Sequence, residues 1–224
     1  MPVNETGYIE ILKALEGRAT LVAVSKTKPV EDIKALYDLG HRDFGENYVQ
    51  EMVEKQSQLP GDIRWHFIGH LQSNKVKYIS SFVFMIQGVD SLKLLVEINK
   101  QAKKHQRVIE CLLQVHIAKE ETKFGFNEQE LDAAIQQYHS SGQLSNIKIS
   151  GLMGMASFTD NKVQVRDEFV YLKKIYDRVK LKWGGEGFSV LSMGMSSDYQ
   201  IALEEGSNMV RIGSLIFGER VYNK

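Results

Sequence analysis

What this chain lacks narrows its class before any motif is read. It has one cysteine, Cys111, so no disulfide can form within it and its fold must rest on a packed core. Three prolines in 224 residues, and no Pro/Gly/Ser-rich or low-complexity tract, leave nothing that reads as a linker. Residues 1–224 are therefore expected to form one domain. Charge of neither sign is in excess, with Lys plus Arg and Asp plus Glu at 28 each. Nor is there a basic stripe interleaved with aromatics, so nucleic acid is not an expected partner. No apolar run approaches the roughly 20 residues that span a bilayer, which argues against a membrane protein. The N-terminal MPVNETGYIEILKALEG has no basic leader before an apolar segment and is not a secretory signal. A lone cysteine inside the apolar IECLLQV suits a reducing compartment, and the expected location is cytoplasmic.

What is present is an even rhythm. Eight β-rich runs occur at 20–25, 41–46, 64–69, 82–87, 108–117, 147–154, 188–193 and 208–213. Most are almost continuously apolar, as strands covered on both faces must be. Helical patterns lie between them. Pro29 suits the first position of PVEDIKALYDL, and Gly40 follows its end. Asn47 with Gln50, Asn127 with Glu130 and Ser197 with Gln200 have capping-box spacing. Val165, Phe169, Leu172, Tyr176 and Val179 form a helical stripe. An extra N-terminal helix puts Tyr8, Ile11, Leu12 and Leu15 on one face and ends at Gly17. Eight β/α units imply parallel strands joined by crossovers. The count favours an α/β fold of the single-domain (β/α)₈ TIM type over an open doubly wound sheet, although alternation alone does not show closure.

In either architecture chemistry belongs at the C-terminal ends of the strands. LVAVSKTKP ends the first run in a lysine. Alternation places Val22, Val24 and Lys26 on one face, and Leu21, Ala23 and Ser25 on the other. If the first set faces inward, Lys26 reaches the barrel mouth, where burial would favour its neutral amine as a nucleophile toward a carbonyl. The plainer reading is a solvated strand-end lysine. Lys28, at the turn before Pro29, and Lys119 and Lys123, in AKEETKFGF, are expected in solvent.

After the seventh run, SMGMSSDYQIALEEG passes from a Gly/Ser loop into a helix. After the eighth, Gly213-Ser214 in NMVRIGSLIFGER offers further N–H and hydroxyl donors. Such loops after strands seven and eight form phosphate sites in barrels, though each could equally be a simple cap or turn. Arg211, in an apolar strand, needs either a structural ion pair or a ligand atom. His66 and His70 are four apart in HFIGH, but on a strand, and no Cys or carboxylate completes a metal set. The methionines, Met153, Met155, Met193 and Met195 among them, suit core filling.

Taken in order, AVSKTKP, DFGENYVQE, WHFIGHLQSNK, KFGF, GLMGM, SMGMSSDY and VRIGSLIFGER resemble the pyridoxal 5′-phosphate homeostasis protein family along essentially the whole length. The resemblance implies a fold type III barrel related to the N-terminal domain of alanine racemase, with pyridoxal 5′-phosphate (PLP) as cofactor. It implies that Lys26 carries PLP as an exchangeable aldimine and that Arg211 faces the pyridine nitrogen. Ser196, Gly213 and Ser214 would hold the phosphate, and Asn47 would lie beside the ring. An arginine at that nitrogen favours the neutral ring and weakens the electron sink on which PLP catalysis depends. Alanine racemase adds an acid/base tyrosine from a second domain, for which this sequence is expected to have no counterpart. The implied role is vitamin B6 homeostasis and amino-acid/keto-acid balance without established turnover, as a monomer, with apo PLP enzymes as recipients. A PLP-dependent racemase or lyase, a Schiff-base aldolase acting on sugar phosphates, and a pure scaffold are the competing readings.

Overall fold

The computed structural model describes residues 3–120, 123–185 and 187–219; both ends of the expected one-domain span, including Arg220 of the last motif, lie outside them. Seven of the eight β-runs contain a strand and the fourth overlaps one that extends two residues past it: β1 Thr20–Val24, β2 Asp43–Glu46, β3 Arg64–Phe67, β4 Met85–Val89, β5 Ile109–Gln114, β6 Ile147–Met153, β7 Val190–Ser192 and β8 Met209–Ile212. The strands run parallel in chain order, and β8 closes on β1 with Val22 opposite Arg211. The closed barrel rules out the open sheet.

Nine α-helices are described: α1 Glu5–Leu15, α2 Val30–Asp38, α3 Val49–Gln56, α4 Val76–Ile79, α5 Leu92–Lys104, α6 Glu128–Ser141, α7 Lys162–Val179, α8 Tyr199–Glu204 and α9 Ser214–Phe217. Asn127 and Glu130 form the expected capping box at the start of α6. The α7 stripe is buried as its spacing requires. In α1, Tyr8, Ile11 and Leu15 are buried, but Leu12 is 42% exposed and leaves the apolar face. The side chain of Asn4 caps α1 and also donates to the Leu215 carbonyl, tying this helix to α9.

Two caps depart from expectation. Helix α3 begins after Tyr48 with no side-chain cap, and Gln50 donates to Glu54 one turn on rather than back to Asn47. Helix α8 begins after Asp198, so Ser197 and Gln200 make no box. Instead the Asp198 carboxylate accepts from the Met195 N–H and closes the SSD loop on itself.

Strand parity sorts the core into two layers. Val22, Met85, Leu112, Met153 and Met209 pack inside the barrel. Leu21, Ala23, Phe44, Phe67, Leu113 and Val210 belong to the thicker layer between strands and helices. Val22 therefore faces inward, and with it Val24 and Lys26.

Candidate functional site

A cavity of about 540 Å³ opens at the C-terminal ends of the strands, lined among others by Val24, Ile68, Met155, Phe158 and Met195. Lys26, Asn47, Ser196, Arg211, Gly213 and Ser214 all line it, and so do Lys28 and Ser197. The β1–β8 register explains why residues so distant in sequence meet. Ala23 pairs with Ile212, so the chain after Val24 runs beside Gly213. A Cβ on Gly213 would come to 3.1 Å from the Val24 carbonyl oxygen, so the two strand ends approach closely. Across the seam, the Gly213 N–H donates to Ser196 Oγ at 3.3 Å, joining the loop after β7 to the loop after β8. Helices α8 and α9 both start from these loops, and the first N–H groups of a helix have no partner within it.

The two lysines after β1 have different fates. Lys28 is half-buried rather than free in solvent: its Nζ donates to the carbonyls of Phe217 (2.6 Å), Gly218 (3.1 Å) and Glu219 (3.3 Å), where α9 leaves its carbonyls open. Lys26 is half-buried at the pocket wall. Lys123 also departs from expectation, donating to the Ala156 carbonyl at 2.6 Å and pairing with Glu120 at 3.3 Å. Lys119 is exposed, as expected.

Arg211 is 3% exposed. Its Nη1 donates to Ser192 Oγ at 2.6 Å and its Nη2 to the Gly154 carbonyl at 3.0 Å. Burial pushes its pKa down to about 10, with the Asp198 carboxylate partly offsetting this, so the group remains a cation at neutral pH. No salt bridge holds Arg211 among the described residues, which disfavours the purely structural ion pair. Instead a chain of hydrogen bonds runs from it through the barrel. Ser192 Oγ donates to Gln87 Oε1 at 2.7 Å, and Gln87 Nε2 donates to His66 Nδ1 at 3.1 Å. An amide nitrogen only donates, so Nδ1 accepts and the His66 proton sits on Nε2. That proton faces Asp43 Oδ1 at 3.0 Å, and Asp43 also accepts from Arg64 Nε at 2.7 Å. Burial by itself would raise the Asp43 carboxyl, but the bonds from Arg64 and His66 hold it well below the usual carboxylate range. Every proton in the chain points from Arg211 toward Asp43. The guanidinium is thereby aimed from beneath, by the barrel floor.

Gln87, Ser192 and Asp198 were not singled out from sequence. The available signal was a polar residue at an inward position of an apolar strand, as with Gln87 two residues beyond Met85. Asn47, read as a cap, has no capping role. Its Oδ1 is buried at the cavity with no hydrogen-bond partner among the described residues. Such an atom normally has a partner, and a ligand in the cavity would supply one.

Two Ser/Gly loops, a lysine and a fixed cation around one barrel mouth accompany the class that the fold defines: a barrel built like the N-terminal domain of alanine racemase, whose family model matches residues 8–221. Sequence relatives narrow this. The pyridoxal phosphate homeostasis protein of Aquifex aeolicus is 40% identical over 208 residues, covering 92% of this chain and 90% of its own. The Homo sapiens protein of the same name is 40% identical over 224 residues, covering 95% and 80%. The structure of PipY from Synechococcus elongatus PCC7942 with PLP bound superposes with a TM-score of 0.85 at 31% identity, over 95% of this chain and 99% of that one. Alanine racemase of Clostridium difficile 630 has a TM-score of 0.74 at 16% identity, covering 98% of this chain and 57% of that one, a likeness of fold alone. The chain belongs to the pyridoxal phosphate homeostasis protein family.

Proposed function

We propose that this chain binds PLP at the barrel mouth, attaches it reversibly through Lys26, and serves PLP supply rather than turnover. The observation that carries the reading is the convergence of Lys26, Arg211, Asn47 and the two Ser/Gly loops on one cavity. PLP bound there would supply an aldehyde conjugated to a pyridine ring. The Lys26 nitrogen would bond to the aldehyde carbon with loss of one water, and water would reverse the bond. Ser196, Gly213 and Ser214 would hold the phosphate dianion through N–H and hydroxyl donors. The buried acceptor of Asn47 would meet a donor on the ring or on the attachment. Arg211 would face the ring nitrogen as a cation and keep it unprotonated, so the ring would stabilise substrate carbanions poorly. That supports a carrier over a racemase or lyase. The names of the relatives and the PLP held by PipY support the same cofactor. In this reading the protein works in the cytoplasm as a monomer and passes PLP to apo enzymes.

The test is the visible spectrum of the purified protein before and after borohydride, followed by mass mapping of the reduced peptide. The expected result is a yellow protein that bleaches, with the pyridoxyl mass on Lys26. A protein that cannot be loaded with PLP overturns the reading. Exchange of the α-proton of an amino acid into D₂O well above the rate with free PLP would overturn the carrier role alone.

A further inference from the structure

On the outer side of β1 and β2, behind the cavity wall, lies a cluster of charge with no part in the binding site. Glu46 is fully buried at the end of β2, Lys55 is 5% exposed on α3, and Glu51 stands one turn before Lys55. The Lys55 ammonium spends its three protons on Glu46 Oε1 (2.8 Å), Glu51 Oε1 (2.6 Å) and the Ser25 carbonyl (2.8 Å). Ser25 Oγ donates to Glu46 Oε1 at 2.7 Å, and the Thr27 N–H donates to Glu51 Oε1 at 2.5 Å. Three of these five bonds end on Ser25 or Thr27, the residues either side of Lys26.

The geometry of that turn gives the bonds a purpose. The Lys28 N–H donates to the Ser25 carbonyl at 3.0 Å, which makes Lys26 the second residue of a four-residue turn. The third residue, Thr27, has φ 63°, a left-handed conformation that a β-branched residue resists. A salt bridge serving only to fasten α3 to the sheet would not reach the two peptide groups that flank Lys26. Burial raises the Glu46 pKa against the pull of Lys55, so the cluster is held at an electrostatic cost. Resting on the role of Lys26 given above, we propose that Lys55, Glu46 and Glu51 are positioning residues for Lys26. They hold the left-handed turn that sends its side chain from the end of β1 into the cavity, so the reach of the amine toward a bound aldehyde is set from outside the barrel.

The test compares wild type, Lys55→Met, Glu51→Ala and Glu51→Gln as full chains freed of PLP. Three readings are taken: the rate at which added PLP becomes borohydride-trapped on Lys26, the affinity for pyridoxine 5′-phosphate, and amide exchange at Thr27. Pyridoxine 5′-phosphate has the phosphate and the ring but no aldehyde, so it reports non-covalent binding alone. Glu51→Ala and Lys55→Met are expected to trap PLP about tenfold more slowly, the scale on which small misplacements of a reacting group act. Their affinity for pyridoxine 5′-phosphate stays at the wild-type value, and Thr27 exchanges faster while other barrel amides do not. Glu51→Gln, which keeps the acceptor for Thr27, restores trapping. Should Lys55→Met fail to fold, the Glu51 pair decides. Wild-type trapping and Thr27 exchange in Glu51→Ala overturn the inference, as does loss of pyridoxine 5′-phosphate binding in parallel with trapping. Absence of trapping at Lys26 in wild type overturns the proposed function instead, and the Thr27 exchange then judges the positioning on its own.

Discussion

Lysines 26 and 28 leave the same strand end two residues apart, yet only their surroundings separate their roles. Lys28 lines the cavity too, but its ammonium is spent on three carbonyls at and just after the end of α9. Lys26 lines the cavity on the inward face that Val22 and Val24 establish. Lys26→Ala should therefore abolish borohydride trapping while leaving phosphate-driven binding. PLP affinity is expected to fall about tenfold, on the order of 1.4 kcal/mol, by equilibrium dialysis. Full trapping in that variant would mean that another lysine carries the bond. Asn47 shows how a local pattern misleads: its spacing from Gln50 is that of a cap, but its oxygen is buried at the cavity and Gln50 bonds forward to Glu54. A spacing rule carries no information about which way a side chain turns.

Strand β4 contributes Gln87 as the middle link between Ser192 and His66. Replacing it with leucine strands a hydroxyl proton on one side and a ring nitrogen on the other, both on fully buried side chains. Gln87→Leu should cost about 2–3 kcal/mol in urea unfolding, the scale of unsatisfied buried polar groups. Because Arg211 would lose its fixed aim while Lys26 kept its own, trapping at Lys26 should persist and the visible band of the loaded protein should move. An unmoved band would mean that Ser192 and the Gly154 carbonyl hold the guanidinium without help from Gln87. Elements β7 and β8 show the same division: Ser192 and Arg211 point into the barrel because each sits at inward parity, opposite the layer that packs on the helices.

Across the whole molecule, Asp43 sits at the barrel floor, where β2 and β3 begin, and its stabilising effect depends on pH. Its carboxyl is held well below its usual range, so its contribution is complete above the unfolded-state pKa of about 4 and fades as pH falls below that. Asp43→Asn should cost about 2 kcal/mol at neutral pH, because the buried Asp43 accepts charge-assisted hydrogen bonds from Arg64 and His66, although the Arg64 side chain is itself half-exposed. That difference should shrink as urea titrations move below about pH 4, and a constant difference would show that the carboxylate is not what matters. The sequence by itself determined the unit count, the alternation of strand and helix, the α7 stripe, the Asn127 cap and the shared parity of Val22, Val24 and Lys26. All of these are set by hydrophobic period and by bonds within a few residues, which a linear pattern records. The tertiary structure alone decided closure of the sheet, which face of β1 looks inward, the capture of Lys28 and Lys123 by backbone carbonyls, the release of Asn47 from its cap, and the path from Arg211 to Asp43. Each of those depends on which atom stands opposite which across the barrel, over sequence separations that no local spacing encodes. Closure brings β8 against β1, and with it Arg211 and Gly213 beside the strand that carries Lys26.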